Sequence, residues 1–240
     1  MRQGTMEKRF FYRRVLALAI PIVIQNSITN LVSLLDNLMV GQLGTHSMSG
    51  VAIANQLLFI FNLISFGVTT GTGIFTAQFY GSGDEKGVRY TFRFKVILSV
   101  LIAVCCIGIF LAWDDVLIRL FLQGEGEAVD AEQMLEYGRR YLKIMLVGLL
   151  PFALSSSYAS TLRECGETKV PMVASIAAVC TNLVLNYLLI FGHLGMPAMG
   201  VTGAAVATVL SRFVEFGIVA GWTHLHGKRF AFIQRAYHSM

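Results

Sequence analysis

The sequence predicts an all-α integral membrane protein built as a bundle of six membrane-spanning helices. Of its 240 residues, 55% are apolar and only 14% are charged, whereas about a quarter of the residues in a soluble domain carry a charge. The mean hydropathy is +0.64. The apolar residues cluster into runs of about twenty, which is the length that a helix needs to cross a bilayer. Basic residues alternate between successive connections, as expected when a chain crosses the membrane repeatedly.

The six predicted spans form a single unit that covers residues 1–240. A basic segment precedes the first span, but the apolar run after it is too long for a signal peptide and no small-residue cleavage pattern follows, so we predict an uncleaved helix. The third connection contains two amphipathic stretches, VLIRLFL and EAVDAEQMLEYGRRYLKI, which predict one or two short surface helices. Its acidic residues are expected to form a solvated face. The predicted spans cover residues 14–40, 50–78, 92–113, 139–161, 169–191 and 201–223.

The Lys and Arg residues predict the orientation of these spans. They concentrate in the N-terminal segment, the second and fourth connections and the C-terminal tail, whereas the first and fifth connections contain neither. The positive-inside rule therefore places both termini in the cytoplasm of a multi-pass protein of the cell (inner or plasma) membrane. The residues that carry this prediction are Arg2, Lys8, Arg9, Arg13, Arg14, Lys86, Arg89, Arg93, Lys95, Arg163, Lys169, Lys228, Arg229 and Arg235.

The first span carries a polar stripe that includes a carboxylate. Its members recur at spacings of three, four and seven, which places them on one face of a helix. Lipid cannot solvate such a face, so it must line a protein interior or an aqueous cavity. Because an ionised carboxylate in the membrane is costly, Asp36 is a functional-site candidate, and its alternative is a side chain that reaches the headgroups. The stripe comprises Gln25, Asn26, Thr29, Asn30, Ser33, Asp36 and Asn37.

Other spans carry polar residues at helical spacing, and some of these lie at the depth of Asp36. With the predicted orientation, Asp36, Asn182, Asn186 and Thr208 share a band in the outer half of the membrane. An oxygen-lined pocket with one negative charge suits a hard monovalent cation or a proton, although hydrogen bonding between helices is the simplest role for the neutral groups. Further polar candidates in the second and fifth spans are Asn55, Asn62, Ser65, Thr69 and Ser175.

Three features of the remaining spans have structural interpretations. The third span has no polar stripe and is expected to face lipid or to pack passively. The second span ends in GVTTGTG, where small residues allow close approach of neighbouring helices. Arg212 and Glu215 lie three residues apart in the sixth span and are predicted to pair on one helix face, as a structural pair first and a conformational relay second.

The spans do not bring together the residue types that an enzyme needs. The five histidines lie in loops or the tail, and no metal-ligand pair lies on a spanning helix. The four cysteines lack metal-ligand spacing, and we expect no disulfide. We therefore predict no enzyme, no catalytic residues, no cofactor and no metal beyond a Na⁺ at Asp36. The basic residues that give the net charge of +5 concentrate in the connections assigned to the cytoplasm, where the positive-inside rule accounts for them. No nucleic-acid partner is therefore expected.

Five short motifs occur in order along the chain. Pro21 is followed by LLDNLMVGQLG in the first span, and AQFYGSGDEKGVR closes the second. LRECGETKVPM follows the fourth span, while NLVLNYLLIFG and GVTGAAVATVLSR lie in the fifth and sixth. Together they resemble the motifs of the multidrug and toxic compound extrusion (MATE) family of cation-coupled efflux transporters. Each motif is modest alone, but five in order at family spacing are highly specific.

The resemblance implies a fold and a function. Family members have twelve helices in two six-helix lobes that face a central cavity, and this chain matches the first lobe, in the NorM-like branch. The resemblance implies a bend at Pro21 and a cation site at Asp36, with Asn182, Asn186 and Thr208 as neighbours. It also implies a Na⁺- or H⁺-coupled antiporter in the lipid bilayer that exports amphipathic, often cationic, small organic molecules. The cavity positions implied for the substrate are Gln25, Asn26, Thr29, Asn30, Ser33, Asn55 and Asn62.

One departure and two alternatives accompany this interpretation. Some members carry aspartate where this chain has Asn186, so Asp36 is the one acid of the predicted site, and Na⁺ and H⁺ coupling are equally open. One alternative is a related lipid-linked-sugar flippase, but the stripes of the first, second and fifth spans hold no Lys or Arg for a phosphate. The other is a truncated fragment that does not transport without a C-terminal lobe or a second copy.

Overall fold

The structure, a computed structural model, describes residues 2–122 and 128–225, and its regular structure is entirely helical there. The predicted all-α fold is therefore confirmed. The basic residues of the tail and the acids at 125 and 127 lie outside the described residues. The helices are α1 (Arg2–Gly41), α2 (Thr45–Gly81), α3 (Glu85–Ala112), α4 (Asp114–Leu122), α5 (Ala128–Val147), α6 (Leu149–Glu164), α7 (Lys169–Phe191) and α8 (Val201–Leu225), with a 3₁₀ turn at His193–Gly195.

Six spans are present if one of them is counted as broken. Within the described ranges, α1, α2, α3, α7 and α8 are each long and apolar enough to cross a membrane. The fourth span consists of Ala131–Val147 and Leu149–Glu164, which meet at an angle of 49°. It begins earlier than the predicted 139–161, because the second amphipathic stretch continues into the membrane segment. Of the one or two surface helices expected in the third connection, one is present as a separate helix, α4.

The break in the fourth span has a local cause. Pro151 has no N–H to donate to the carbonyl of Val147, so the regular helical hydrogen bond is missing there. Gly148 instead donates to the Met145 carbonyl at 2.9 Å, one residue closer than in an α-helix. The carbonyl of Gly148 accepts from the Phe152 N–H at 3.1 Å, and it also lies within reach of a side chain of α8.

The helices pack around two apolar clusters. The larger joins α2, α5, α6 and α8 through side chains such as Phe61, Leu142 and Leu149. The smaller lies where α3, α6 and α8 meet, around Phe92 and Leu162. Helix α1 is the least buried of the spans and packs mainly on α7. The helix continues through Pro21 without interruption, and the bend implied there stays a prediction.

Close helix approach occurs at one glycine of the GVTTGTG segment and at two glycines elsewhere. At Gly67 and Gly71, an added Cβ would meet nothing within 4 Å, whereas one on Gly73 would meet the Glu164 side chain of α6. A Cβ on Gly50 of α2 would lie 2.6 Å from the Met134 carbonyl oxygen of α5, and one on Gly138 would lie 2.8 Å from the Gly50 carbonyl oxygen. Glycine is therefore required where α2 crosses α5.

The acids of the third connection are not all solvated. Asp114 is buried, and its carboxylate lies 2.6 Å from Nε of Arg139 and 3.4 Å from Nζ of Lys143. Burial favours the neutral carboxyl, but these basic groups and the Asp115 backbone N–H donate to the carboxylate, and the pKa of Asp114 is lowered on balance. This cluster holds α4 against α5.

Candidate cation site and cavity

Asp36 belongs to a hydrogen-bonded cluster that joins three helices. Asn186 of α7 donates from Nδ2 to Oδ1 of Asp36 at 2.5 Å and to Oδ1 of Asn182 at 3.1 Å. Asn182 donates to Oγ1 of Thr208 on α8 at 3.2 Å. If the Asn182 amide is rotated by 180°, its nitrogen lies 2.9 and 3.2 Å from the two Asp36 oxygens. In either orientation, Asp36 accepts from an amide of α7, and its side chain lies against that helix.

The four residues predicted to share one depth are therefore in contact. Asn182 and Asn186 are buried, and the Oδ1 atom of Asn186 is buried with no hydrogen-bond partner. A buried oxygen without a donor beside a carboxylate is a position where a cation or a protonated group would be favourable. Ion binding by these residues stays a prediction.

Two cavities meet at this cluster, with volumes of about 440 and 320 Å³. Both are bordered by Ser33, Asp36, Asn62, Thr208 and Arg212. Of the other predicted residues, five line the larger cavity (Gln25, Asn26, Thr29, Ser175 and Asn182) and three line the smaller one (Asn37, Asn55 and Asn186). Asn30 lines neither cavity. Asn55 accepts a hydrogen bond from the hydroxyl of Tyr141 at 3.3 Å.

The predicted pairing of Arg212 with Glu215 is wrong. Glu215 accepts from the hydroxyl of Ser175 at 2.5 Å, and that hydroxyl accepts from Nε2 of Gln25 at 2.6 Å. Arg212 reaches the broken fourth span instead, where Nη1 lies 3.4 Å from the carbonyl oxygen of Gly148. The two side chains separate because each finds a partner on a different neighbouring helix. A second polar bridge thus links α1, α7 and α8.

The larger cavity also contains basic residues that the polar stripes did not indicate. Arg163 of α6 and Arg212 of α8 both line it, together with Glu215. The polar stripes of the first, second and fifth spans contain no Lys or Arg, but α6 and α8 supply positive charge to the cavity. That absence therefore no longer argues against a ligand with a phosphate group.

The third span, which is predicted to have no polar stripe, contributes a lysine to a buried ion pair. Lys95 of α3 is 0% exposed, and its ammonium lies 2.7 and 2.9 Å from the two carboxylate oxygens of Glu164 on α6. The same nitrogen lies 3.2 Å from Ser160 Oγ and 3.3 Å from Thr161 Oγ1. Ser99, four residues after Lys95, is also buried. The sequence indicates this pair only through Lys95 and Ser99, two polar residues on one face of an otherwise apolar run.

Comparison with known proteins agrees with this architecture. Residues 21–188 match the family model described as MatE. This chain belongs to the MATE family. The family resemblance is thereby confirmed, and relatives in this family support a transporter rather than an enzyme.

The MATE relatives match this chain along most of its length. It is 32% identical over 207 residues to the probable multidrug resistance protein NorM of Thermotoga maritima, covering 86% of this chain and 43% of that protein. It is 30% identical over 196 residues to the multidrug resistance protein PmpM of Pseudomonas aeruginosa, covering 82% and 40%. The chain thus spans less than half the length of these relatives.

A solved MATE structure shows the same arrangement of helices. It is described as the outward-facing conformation of a multidrug resistance MATE family transporter of the MOP superfamily. The match has a TM-score of 0.79 at 26% identity and covers 92% of this chain and 46% of that one. The fold of this chain therefore corresponds to one lobe of a MATE transporter, as predicted.

Proposed function

We propose that this chain is one lobe of a cation-coupled antiporter that exports amphipathic, often cationic, organic compounds, and that Asp36 is its coupling-ion site. The observation that carries the proposal is the cluster of Asp36, Asn182, Asn186 and Thr208 across α1, α7 and α8. One carboxylate among neutral oxygens suits Na⁺ or H⁺. Neither the residues nor the fold favours one of these ions over the other.

Coupling follows from the position of Asp36 between α1 and the rest of the lobe. Helix α1 is held on α7 by hydrogen bonds at Asp36 and at Gln25. An ion at Asp36 neutralises the carboxylate and changes the first of these contacts. Because Asp36 also borders both cavities, ion and substrate binding can favour different positions of α1. Exchange is then linkage between two ligands of one conformational equilibrium.

Transport is expected to require a second lobe, from a longer chain or a second copy. Asn26, Asn30 and Asn37 of α1 are exposed in the described chain. Lipid cannot satisfy these amides, so a polar or aqueous partner must cover this face in the membrane. A cavity enclosed by two lobes meets that requirement.

The experiment on Asp36 compares variants of this lobe in a transporter that contains both lobes. Asp36→Asn keeps the shape and the hydrogen bonds but removes the charge, so it should insert normally and abolish ethidium efflux driven by a Na⁺ or H⁺ gradient. Asn186→Ala should only weaken efflux, because water can replace a neutral donor. Glu136→Gln is the matched control, since it also removes the charge of a carboxylate, but one that is 69% exposed and lines neither cavity. Full efflux by normally expressed Asp36→Asn would show that Asp36 is not the coupling site.

We also propose that both termini lie in the cytoplasm of the cell (inner or plasma) membrane. The expected labelling is tested with single cysteines in a variant that lacks the four native ones. Thr45→Cys, at the start of α2, should react with an impermeant maleimide added outside intact cells. Glu85→Cys, at the start of α3, should react only after the cells are permeabilised. The reverse pattern would overturn the orientation.

A second candidate function is the export of a lipid-linked sugar. The observation that favours it is the pair of arginines, Arg163 and Arg212, in the larger cavity. Arginine binds phosphate with two parallel hydrogen bonds. A lipid with a phosphate headgroup is therefore used as a competitor for binding to this cavity.

A further inference from the structure

We propose that Arg212, assisted by Arg163, forms an anion-binding subsite in the larger cavity. It would take the acidic group, a carboxylate or a phosphate, of an amphipathic molecule whose basic group lies towards Asp36. The substrate class that it names, molecules with charges of both signs, rests on the proposed function of this chain as one lobe of an exporter. The subsite itself can be tested by binding alone.

The guanidinium of Arg212 is held in place and has N–H donors available for such a ligand. Its carbon lies 5.0 Å from the centre of the Phe152 ring, so one face of the planar group is covered by an aromatic side chain. Its hydrogen bond to the Gly148 carbonyl is long, at 3.4 Å. Arginine has five N–H donors, and within the described part of the chain no ion pair occupies those of Arg212. The remaining donors border both cavities.

Arg163 adds a second positive charge to the same cavity. Its Nε donates to the Ala159 carbonyl at 3.1 Å, one turn earlier in α6. Its terminal nitrogens have no carboxylate partner among the described residues. Glu215 interacts electrostatically with both arginines, and Glu164 interacts with Arg163. Because Glu164 is paired with Lys95 at 2.7 Å, two carboxylates face three basic groups, and the surroundings of the arginines keep a net positive charge.

The larger cavity carries charges of both signs. The charged side chains that line it are Asp36, Arg163, Arg212 and Glu215. Asp36 of α1 and Arg212 of α8 both border the two cavities, whereas Arg163 and Glu215 border the larger one alone. A ligand that carries only a positive charge is attracted by Asp36 and repelled by the arginines. A ligand with a basic and an acidic group is attracted by both, and Arg212 can bind the acidic group through two donors.

The test uses two dyes that differ in one charge. Rhodamine B has a cationic ring system and a free carboxylate, whereas its ethyl ester has the same rings and no carboxylate. Binding of each dye to the 240-residue chain in phosphatidylcholine nanodiscs is measured by fluorescence anisotropy, with empty nanodiscs subtracted. We expect rhodamine B to bind about 10-fold more tightly than the ester, the size of one hydrogen-bonded charge interaction.

Variants separate the subsite from a structural role. Arg212→Gln should remove the preference for rhodamine B, and Arg212→Lys should keep part of it. Glu215→Gln should increase the affinity for rhodamine B several-fold and lower that of the cationic ester, because the arginines lose their competing carboxylate while Ser175 keeps an acceptor. Arg140→Gln is the control, since Arg140 is 60% exposed, pairs with Glu136 and borders neither cavity.

The same nanodiscs distinguish the two sources of the acidic group. If phosphatidic acid displaces rhodamine B from the unchanged chain but not from Arg212→Lys, the ligand is a lipid phosphate; without displacement, it is the carboxylate of a small molecule. Equal affinity of both dyes for the unchanged chain, or an equal loss of both in Arg212→Gln, would overturn the subsite. These results are independent of ion-driven efflux, so failure of the Asp36 experiment would leave the subsite standing.

Discussion

The buried ion pair between α3 and α6 offers the sharpest test of what holds this lobe together. Lys95→Met replaces the ammonium by an apolar group of similar length. The variant leaves Glu164 with the hydroxyl of Ser160 as its side-chain donor, and it removes two contacts to the carboxylate, at 2.7 and 2.9 Å. The hydroxyls of residues 160 and 161 no longer accept a hydrogen bond from the ammonium, but each still donates one to a backbone carbonyl.

The expected loss of stability follows from the burial of the two groups. Removing one partner of a buried pair leaves an uncompensated charge and costs about 3–5 kcal/mol. Lys95 is 0% exposed, but the side chain of Glu164 is 14% exposed and can regain some water. We therefore expect a value near the lower limit, about 3 kcal/mol. Replacing both partners, as Lys95→Met with Glu164→Leu, removes both charges and should restore most of the stability.

The measurement is the free energy of unfolding of the chain in mixed micelles, from a titration with sodium dodecyl sulfate followed by circular dichroism. The matched control is Arg140→Met, which breaks an exposed pair with Glu136 and should cost less than about 1 kcal/mol. Two results would refute the reasoning. One is a cost of Lys95→Met no larger than that of the control, and the other is a double variant as unstable as Lys95→Met alone.

Two further predictions concern the packing of α5. Because the pKa of Asp114 is lowered, its contribution to stability is complete above about pH 4, the ordinary pKa of aspartate, and is lost as the pH falls through the lower native pKa. The difference in unfolding free energy between the unchanged chain and Arg139→Gln should therefore be constant from pH 7 to about pH 4 and narrow below it; a difference independent of pH would exclude Asp114 as the partner. Gly50→Ala should destabilise the chain by about 1–3 kcal/mol, since its Cβ would meet the α5 backbone. Gly67→Ala, where a Cβ meets nothing within 4 Å, is its control and should change little, and equal effects would contradict the close contact.

The membrane fold and the polar face of α1 could be predicted from the sequence because both depend on local patterns. Run length determines whether a helix can cross a bilayer, and a period of 3.6 determines which residues share a face. The same reasoning, with depth counted along each helix, put Asp36, Asn186 and Thr208 at one level. Five short motifs were enough to indicate the family.

The tertiary structure decided which charged groups meet. Lys95 was assigned to a cytoplasmic connection and Asp114 to a solvated face, yet each has a partner on a neighbouring helix. Arg212 is predicted to pair with Glu215 on its own helix, but its Nη1 lies 3.4 Å from the Gly148 carbonyl oxygen of the fourth span. A long charged side chain can reach any of several helices, and the outcome depends on their rotation, their relative depth and the position of a bend. Local sequence patterns do not contain those quantities, because packing between distant segments sets them.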